Sequence, residues 1–382
     1  MYTKVHITAE IGTSHEGDIK KAKELIKAAA NAGADSIKLQ WVYANEILHP
    51  KTGFVLLPTG NIPLYDRFKQ LEVSPDFFKE LKEYAKSCNC SFICSPFGKK
   101  SLEELIKINP DAIKIASPEL NHFPLLEQLS NFRLQQKNEN KNITPIILST
   151  GVSTLSDIEK ALNIFEHNKE KITLLHCITA YPAPEEQYNL LLIKNLSSIF
   201  GIPTGISDHS LDPILVPTLA VACGATFIEK HITLSRKTIG LDDPVALEPK
   251  QFEQMVSKVR YAEKILQENE KSYGQKLIIK ELEAEYGKEF IQKILGNGIK
   301  TFAFAEKDNY GRTNRSIHVI NSLKAGSVLT KNDLSILRTE KILTPGISPI
   351  FINDVTGAIL TKDISAGEGL TWQHIIKYST DT

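Results

Sequence analysis

The chain lacks any apolar run close to the ~20 residues that cross a bilayer, so no membrane span is expected. Its first residues, MYTKVHITAE, lack the apolar centre of a signal peptide. It has no net charge, with 45 Lys and Arg against 45 Asp and Glu. That balance argues against a nucleic-acid partner held by phosphate neutralisation, but it allows a local basic pocket for a small anion. Cysteine is scarce: Cys88, Cys90, Cys94, Cys177 and Cys223. An odd count in a chain of 382 residues argues against a disulfide framework. The spacing of Cys88, Cys90 and Cys94 fits no standard zinc pattern, and buried free thiols in a reducing cytoplasm are the expected state. No GxGxxG follows the first β-branched run, which counts against a dinucleotide-binding doubly wound sheet.

What is present is alternation. Eight short β-branched runs occur at 5–12, 35–40, 91–96, 111–117, 145–150, 172–177, 203–208 and 226–232. Amphipathic stretches of helical period separate them, such as KKAKELIKAAANAG (20–33) and SPDFFKELKEYAKSC (74–88). Eight strand–helix units predict an α/β fold, a parallel (β/α)8 TIM barrel over residues 1–268. The long stretch 41–73 predicts a loop that walls or covers the site. Residues 269–311 are charged and helical in character, a linker or packing helix between modules, and the charge runs in 269–293 are expected to be solvated helix faces. From 312 to 382 the pattern changes to short strands. HVINSLKAGSVLTKNDL and AILTKDISAGEGLTWQHI share a frame in which Gly326 and Gly367 mark turns, predicting a small β-rich domain.

In such a barrel the C-terminal ends of the strands face one site. They supply Glu10, then Ser14 and His15; Lys38 and Gln40; Ser95; Lys114, Ser117 and Glu119; Ser149 and Thr150; His176, Thr179 and Tyr181; Ser207, Asp208 and His209; and Glu229 and His231. Lys38 and Gln40, two apart, share a strand face, as do Glu229 and His231. Two inward lysines with several hydroxyls suit an anion bearing phosphate and carboxylate. Two histidines on adjacent strands can share a divalent metal, and Glu10 can add negative charge or act as a base. Each residue alone has a plain structural reading: a rim lysine in an ion pair, or a satisfied core histidine such as His176. Their convergence on one end of one barrel favours a site.

These residues stand in segments that resemble the sialic acid synthase family, which includes N-acetylneuraminate, legionaminic, pseudaminic and spore-coat polysaccharide synthases. The resemblance runs through AEIGTSHEG (9–17), AGADSIKLQ (32–40), FICSPF (92–97), AIKIASPELN (112–121), ILSTG (147–151), LLHCITAYPAPEEQYNL (174–190), GISDHS (205–210), IEKHITL (228–234) and GLDDPVALEP (240–249). The C-terminal repeat resembles the family's antifreeze-like (SAF) domain.

The resemblance implies a transferase that condenses phosphoenolpyruvate with the open-chain aldehyde of an N-acetylated hexosamine, such as N-acetylmannosamine or a diacetamido analogue. The products are a nine-carbon 2-keto sugar acid and phosphate. C3 attacks the aldehyde, water attacks C2, and phosphate leaves by C–O cleavage. The resemblance assigns His209 and His231 to a divalent metal, Mn2+ or Mg2+. It assigns Lys38, Ser95, Lys114, Ser117, Thr179 and Ser207 to phosphoenolpyruvate. Glu10 is a catalytic carboxylate in this scheme, and Gln40, Asn61, Tyr181 and Asp242 lie toward the sugar. Arg338 matches an arginine that reaches the N-acetyl group across a domain-swapped homodimer. Ser14-His15 stands where Asn-His is usual, Thr179 where some members have Asn or Ser, and GLDD replaces Gly-Pro-Asp. These departures bear on sugar choice. The competing readings are a Schiff-base aldolase using Lys114 and a non-catalytic carbohydrate-binding homologue.

Overall fold

A computed structural model describes residues 4–57, 60–238 and 240–375. The segments 58–59 and 376–382, within the expected covering loop and C-terminal domain, lie outside the described residues. The eight expected runs form the parallel strands β1 (His6–Gly12), β2 (Ser36–Trp41), β5 (Ser91–Pro96), β6 (Ala112–Ile115), β7 (Ile146–Ser149), β8 (Ile172–Cys177), β9 (Thr204–Asp208) and β10 (Phe227–His231). They close in the order β1-β10-β9-β8-β7-β6-β5-β2. The expected linear loop at 41–73 contains structure of its own: a hairpin, β3 (Phe54–Leu57) with β4 (Gly60–Pro63), and the helix Leu64–Gln70.

Local chemistry sets the helix ends. Asp18 accepts the N–H groups of Lys20 and Lys21 and starts the helix Ile19–Asn31. Thr154 and Asp157 form a reciprocal capping box at the start of Leu155–Asn163. The helix Leu215–Ala222 is apolar all round and fully buried. The cause lies in 269–295, where the expected linker or packing helix is two helices, Lys271–Tyr286 and Lys288–Leu295. Ile278, Leu282, Ile291, Ile294 and Leu295 join the main apolar core, and only their polar faces meet water.

Register decides what points inward. Along β2, Lys38 stands beside Glu10 of β1, and Glu10 beside His231 of β10. Glu229 stands beside Ser207 of β9. Beneath this polar layer Ile93, Ala112, Ile147, Leu175 and Phe227 form a separate apolar floor. The barrel is therefore sealed at one end and charged at the other.

The C-terminal domain is a small fold around β11 (Arg315–Val319) and β12 (Leu334–Arg338), paired antiparallel. Ile317, Val319, Leu329, Ile347, Val355, Leu360 and Leu370 are among its core. The two repeats pair with each other: Leu323 and Ile364 exchange N–H···O bonds, both 2.9 Å. Gly326 (φ 86°) and Gly367 (φ 90°) occupy the left-handed region, as the turn reading requires. The domain sits on the barrel mouth. Arg315, fully buried, donates to the carbonyls of Glu46 and Phe97, each at 2.6 Å, and to Glu119 Oε1 at 3.1 Å.

Candidate active site

At the top of the barrel Lys38 Nζ lies 3.3 Å from Glu10 Oε2 and 3.1 Å from Glu229 Oε1. Lys114 Nζ lies 3.9 Å from the same Glu229 oxygen and donates to Ser149 Oγ at 2.6 Å. Ser207 donates its hydroxyl to Glu229 Oε1 at 2.9 Å, and Gln40 Nε2 donates to Glu10 Oε1 at 2.7 Å. All of these groups except Gln40 are buried. The expected pair of bare lysines is thus a balanced group of two ammoniums and two carboxylates. Glu229, absent from the expected ligand set, joins them.

Burial separates their proton affinities. It pushes the Glu10 carboxyl up to about 7, against the pull of Lys38 and with the help of Glu229. For Glu229, burial is outweighed by Lys114 and Lys38, and its carboxyl sits at about 2. Burial pushes Lys114 down to about 8, with Glu229 opposing. Lys38 is held above the ordinary lysine range, because Glu10 and Glu229 overcome its burial. One carboxyl poised near neutrality beside one that stays ionised is a division of labour suited to proton transfer.

Among the described residues several buried polar atoms in this layer lack a hydrogen-bond partner: Ser95 Oγ, Thr179 Oγ1 and Glu229 Oε2. Ser117 Oγ accepts the Gly151 N–H at 3.0 Å. A β-carbon at residue 151 would collide with Thr179 Oγ1 and Ser117 Oγ. The glycine therefore lets these hydroxyls close in on the backbone after β7, forming a cradle of hydroxyls, a setting for a small anion.

His209 and His231 follow β9 and end β10, with ring centroids 5.5 Å apart. Tyr181 stacks on His209 at 4.2 Å. His209 Nδ1 is 2.7 Å from the Ile178 carbonyl, which can only accept. Nδ1 thus carries the proton, and Nε2 keeps the lone pair a metal needs. His231 Nδ1 stands 3.8 Å from Asp242 Oδ2. Among the described residues no three His, Cys, Asp or Glu form a ready metal cage. Two imidazoles fit a divalent ion whose other positions are completed by substrate and water.

Asp208 serves the loop rather than the cavity. It accepts the Tyr188 hydroxyl at 2.6 Å and the Lys230 ammonium at 2.6 Å, while Tyr188 Oη accepts the His209 N–H at 2.8 Å. His176 is a packed core histidine, 2.5 Å from the Tyr188 carbonyl. His15 packs on Phe77, and its Nδ1 accepts the Gly17 N–H at 3.0 Å.

Above the charged layer lies a cavity of about 320 Å³, bounded by Gln40, Thr179, Tyr181, Asp242 and Arg338 among others. Asn61 is exposed on the hairpin, paired opposite Leu56. Arg338 reaches this cavity from the chain's own C-terminal domain. It donates to Glu119 Oε1 at 2.8 Å, sharing that oxygen with Arg315. No local pattern announces this shared carboxylate, since its partners lie about two hundred residues away.

The chain is similar to known proteins over most of its length. Over 378 residues the chain is 31% identical to the N,N'-diacetyllegionaminic acid synthase of Legionella pneumophila, covering 97% of this chain and 94% of that one. The crystal structure of spore coat polysaccharide biosynthesis protein SpsE from Bacillus subtilis superposes with a TM-score of 0.78 at 29% identity, over 98% of this chain and 96% of that one. The N-acetylneuraminic acid synthetase of Leptospira borgpetersenii, in complex with citrate, matches 69% of this chain and 85% of its own at 34% identity, with a TM-score of 0.62. The SAF domain model matches residues 314–376. The family model that matches the barrel, over residues 25–271, is that of the NeuB family, and the chain belongs to it.

Proposed function

We propose that this enzyme condenses phosphoenolpyruvate with an N-acetylated hexosamine aldehyde, giving a nine-carbon 2-keto sugar acid and phosphate. The observation that carries the reading is the charged layer beneath the mouth. Lys38 and Lys114 are paired with one ionised carboxylate and one carboxyl poised near neutrality, beside hydroxyls that lack partners.

Lys38 and Lys114 hold the phosphate and carboxylate of phosphoenolpyruvate, with Ser95, Ser117, Thr179 and Ser207 donating hydroxyls. The sugar enters through the cavity above, against Gln40, Tyr181, Asp242 and Arg338. C3 of phosphoenolpyruvate forms a bond to the aldehyde carbon, whose oxygen takes the electron pair. Glu10 takes a proton from the water that adds to C2, a role suited to a carboxyl near 7. Glu10 passes that proton to the sugar's alkoxide oxygen, the C2–O bond then breaks, and phosphate leaves with the bridging oxygen and the C2 hydroxyl proton as the keto group forms. His209 and His231 would hold Mn2+ or Mg2+, which supplies positive charge at the aldehyde oxygen when bound. Tyr181, stacked on His209, keeps that ring aligned.

The chain closes its own mouth, so exchange of C-terminal domains between two chains would replace these contacts with identical ones. A domain-swapped homodimer is therefore part of the proposal. So is a reducing, cytoplasmic setting, which the free thiols favour. Among the described residues no helix is long and apolar enough to cross a membrane.

A phosphate-release screen tests the reaction and the sugar together. N-acetylmannosamine, a diacetamido mannose analogue and a diacetamido altrose analogue are each offered with phosphoenolpyruvate and Mn2+. One of them should release phosphate at least about tenfold faster than the others. Release with none would overturn the reading. A second reading rests on Lys114, whose proton affinity near 8 suits a Schiff-base nucleophile. Borohydride trapping of pyruvate on a lysine would favour it.

A further inference from the structure

The segment 296–314 leaves the last barrel-packed helix and crosses the mouth before entering β11. Its Glu306 is 1% exposed, and among the described residues no cation stands within ion-pair distance of its carboxylate, although the buried Lys300 feels its charge. Glu306 Oε2 accepts the N–H of Val152 at 3.1 Å and of Thr179 at 2.8 Å; Oε1 accepts that of Ala303 at 3.3 Å. Val152 and Thr179 belong to the loops after β7 and β8. One buried carboxylate thus joins two catalytic-face loops through their backbones.

Two neighbours on the segment complete the hold. Asn309 Nδ2 donates to the Thr179 carbonyl at 2.9 Å, and Asn314 Nδ2 to the Val152 carbonyl at 3.0 Å. Both residues therefore have both backbone polar groups fixed by the crossing segment. Val152 needs holding: its φ of 42° lies in the left-handed region, costly for a β-branched side chain. It follows Gly151, whose missing β-carbon makes room for the Thr179 and Ser117 hydroxyls, and Thr179 supplies the cradle's unpartnered hydroxyl.

We infer that Glu306, with Asn309 and Asn314, is a positioning residue that sets the phosphate cradle by fixing Val152 and Thr179. The segment between the domains is then part of the binding machinery. Because it also leads into β11, movement of the C-terminal domain is transmitted to the cradle. This inference rests on the phosphoenolpyruvate reading above.

The test uses the full chain with Glu306→Ala, Glu306→Gln and Asn314→Ala. Glu306→Ala should raise KM for phosphoenolpyruvate, and weaken binding of inorganic phosphate, about tenfold. KM for the acetamido sugar should stay within about twofold. Glu306→Gln keeps one acceptor oxygen for the two N–H groups and should recover most of the loss. Asn314→Ala should shift the same constant in the same direction. An unchanged phosphoenolpyruvate KM would overturn the inference. So would equal rises for both substrates that follow a fall in Tm. If the wild type binds phosphate but never consumes phosphoenolpyruvate, the functional reading fails, and phosphate affinity alone still decides the inference. Failure of the wild type to bind either anion overturns both.

Discussion

Lys38 on β2 reaches past β1 to Glu229 on β10, with 3.1 Å between Nζ and Oε1. The pair spans a strand, so it exists only when β2, β1 and β10 lie side by side. It also brings Glu229 within reach of Lys114 and Ser207, so a single carboxylate sets the charge of the whole layer.

Glu229→Gln should leave two buried ammoniums facing one carboxyl. The Lys114 proton affinity then falls further, since Glu229 is what opposes its burial. Turnover, followed as phosphate release, should drop by about a hundredfold or more, and stability by about 3 kcal/mol on loss of a buried partner. Wild-type kcat and KM would remove Glu229 from the account.

His231→Ala should abolish turnover while the far-UV circular dichroism stays that of the wild type. The ring ends a strand and its nearest charged neighbour is Asp242, 3.8 Å away, so little packing depends on it. Added Mn2+ should raise the Tm of the wild type and leave that of the variant unchanged. An equal shift in both would move the metal elsewhere.

Lys230 and Asp208 form a fully buried pair under the His209 loop. Lys230→Met should cost about 3–5 kcal/mol in urea denaturation, because Asp208 is left ionised without its cation. Adding Asp208→Asn should recover part of that. Independent, additive losses would contradict the coupling.

Acid should weaken the fold through its buried neutral histidines. Burial holds His318 at about 4 and His176 at about 3. In the unfolded chain each takes a proton near pH 6.5, which the folded chain declines. Stability should therefore be full above pH 6.5 and fall as pH drops toward 4. His318→Gln should flatten that slope by up to about 3 kcal/mol over the interval. An unchanged slope in urea midpoints against pH would contradict this.

Removing 312–382 strips Arg315 and Arg338 from Glu119. The barrel should keep its circular dichroism while KM for the sugar rises and turnover falls. Full turnover by the truncated chain would show that the mouth needs no cover.

Much of this was legible in the sequence because it depends on local period. The eight strands announced themselves as short β-branched runs, and the spacing of Lys38 and Gln40 put both on one face, where both now meet Glu10. The two repeats of the C-terminal domain were visible as a shared frame. What stayed hidden depends on closure or on distance along the chain. Glu229 read as one more strand-end charge until register set it between two lysines. Glu119 meets arginines that no local pattern links to it. Glu306 lies in no motif, and its carboxylate is buried on backbone amides from loops more than a hundred residues away along the chain. Asn61 stands in a hairpin that no turn signal in the long stretch 41–73 announced.

The most direct test of the central claim follows one oxygen. Phosphoenolpyruvate carrying ¹⁸O in the C2–O–P bridge is incubated with the protein, Mn2+ and the accepted acetamido sugar, and both products are weighed by mass spectrometry. Condensation with water attack at C2 predicts labelled phosphate and an unlabelled nine-carbon keto acid in equal amounts. Label in the keto acid, or phosphate without a nine-carbon product, would contradict it.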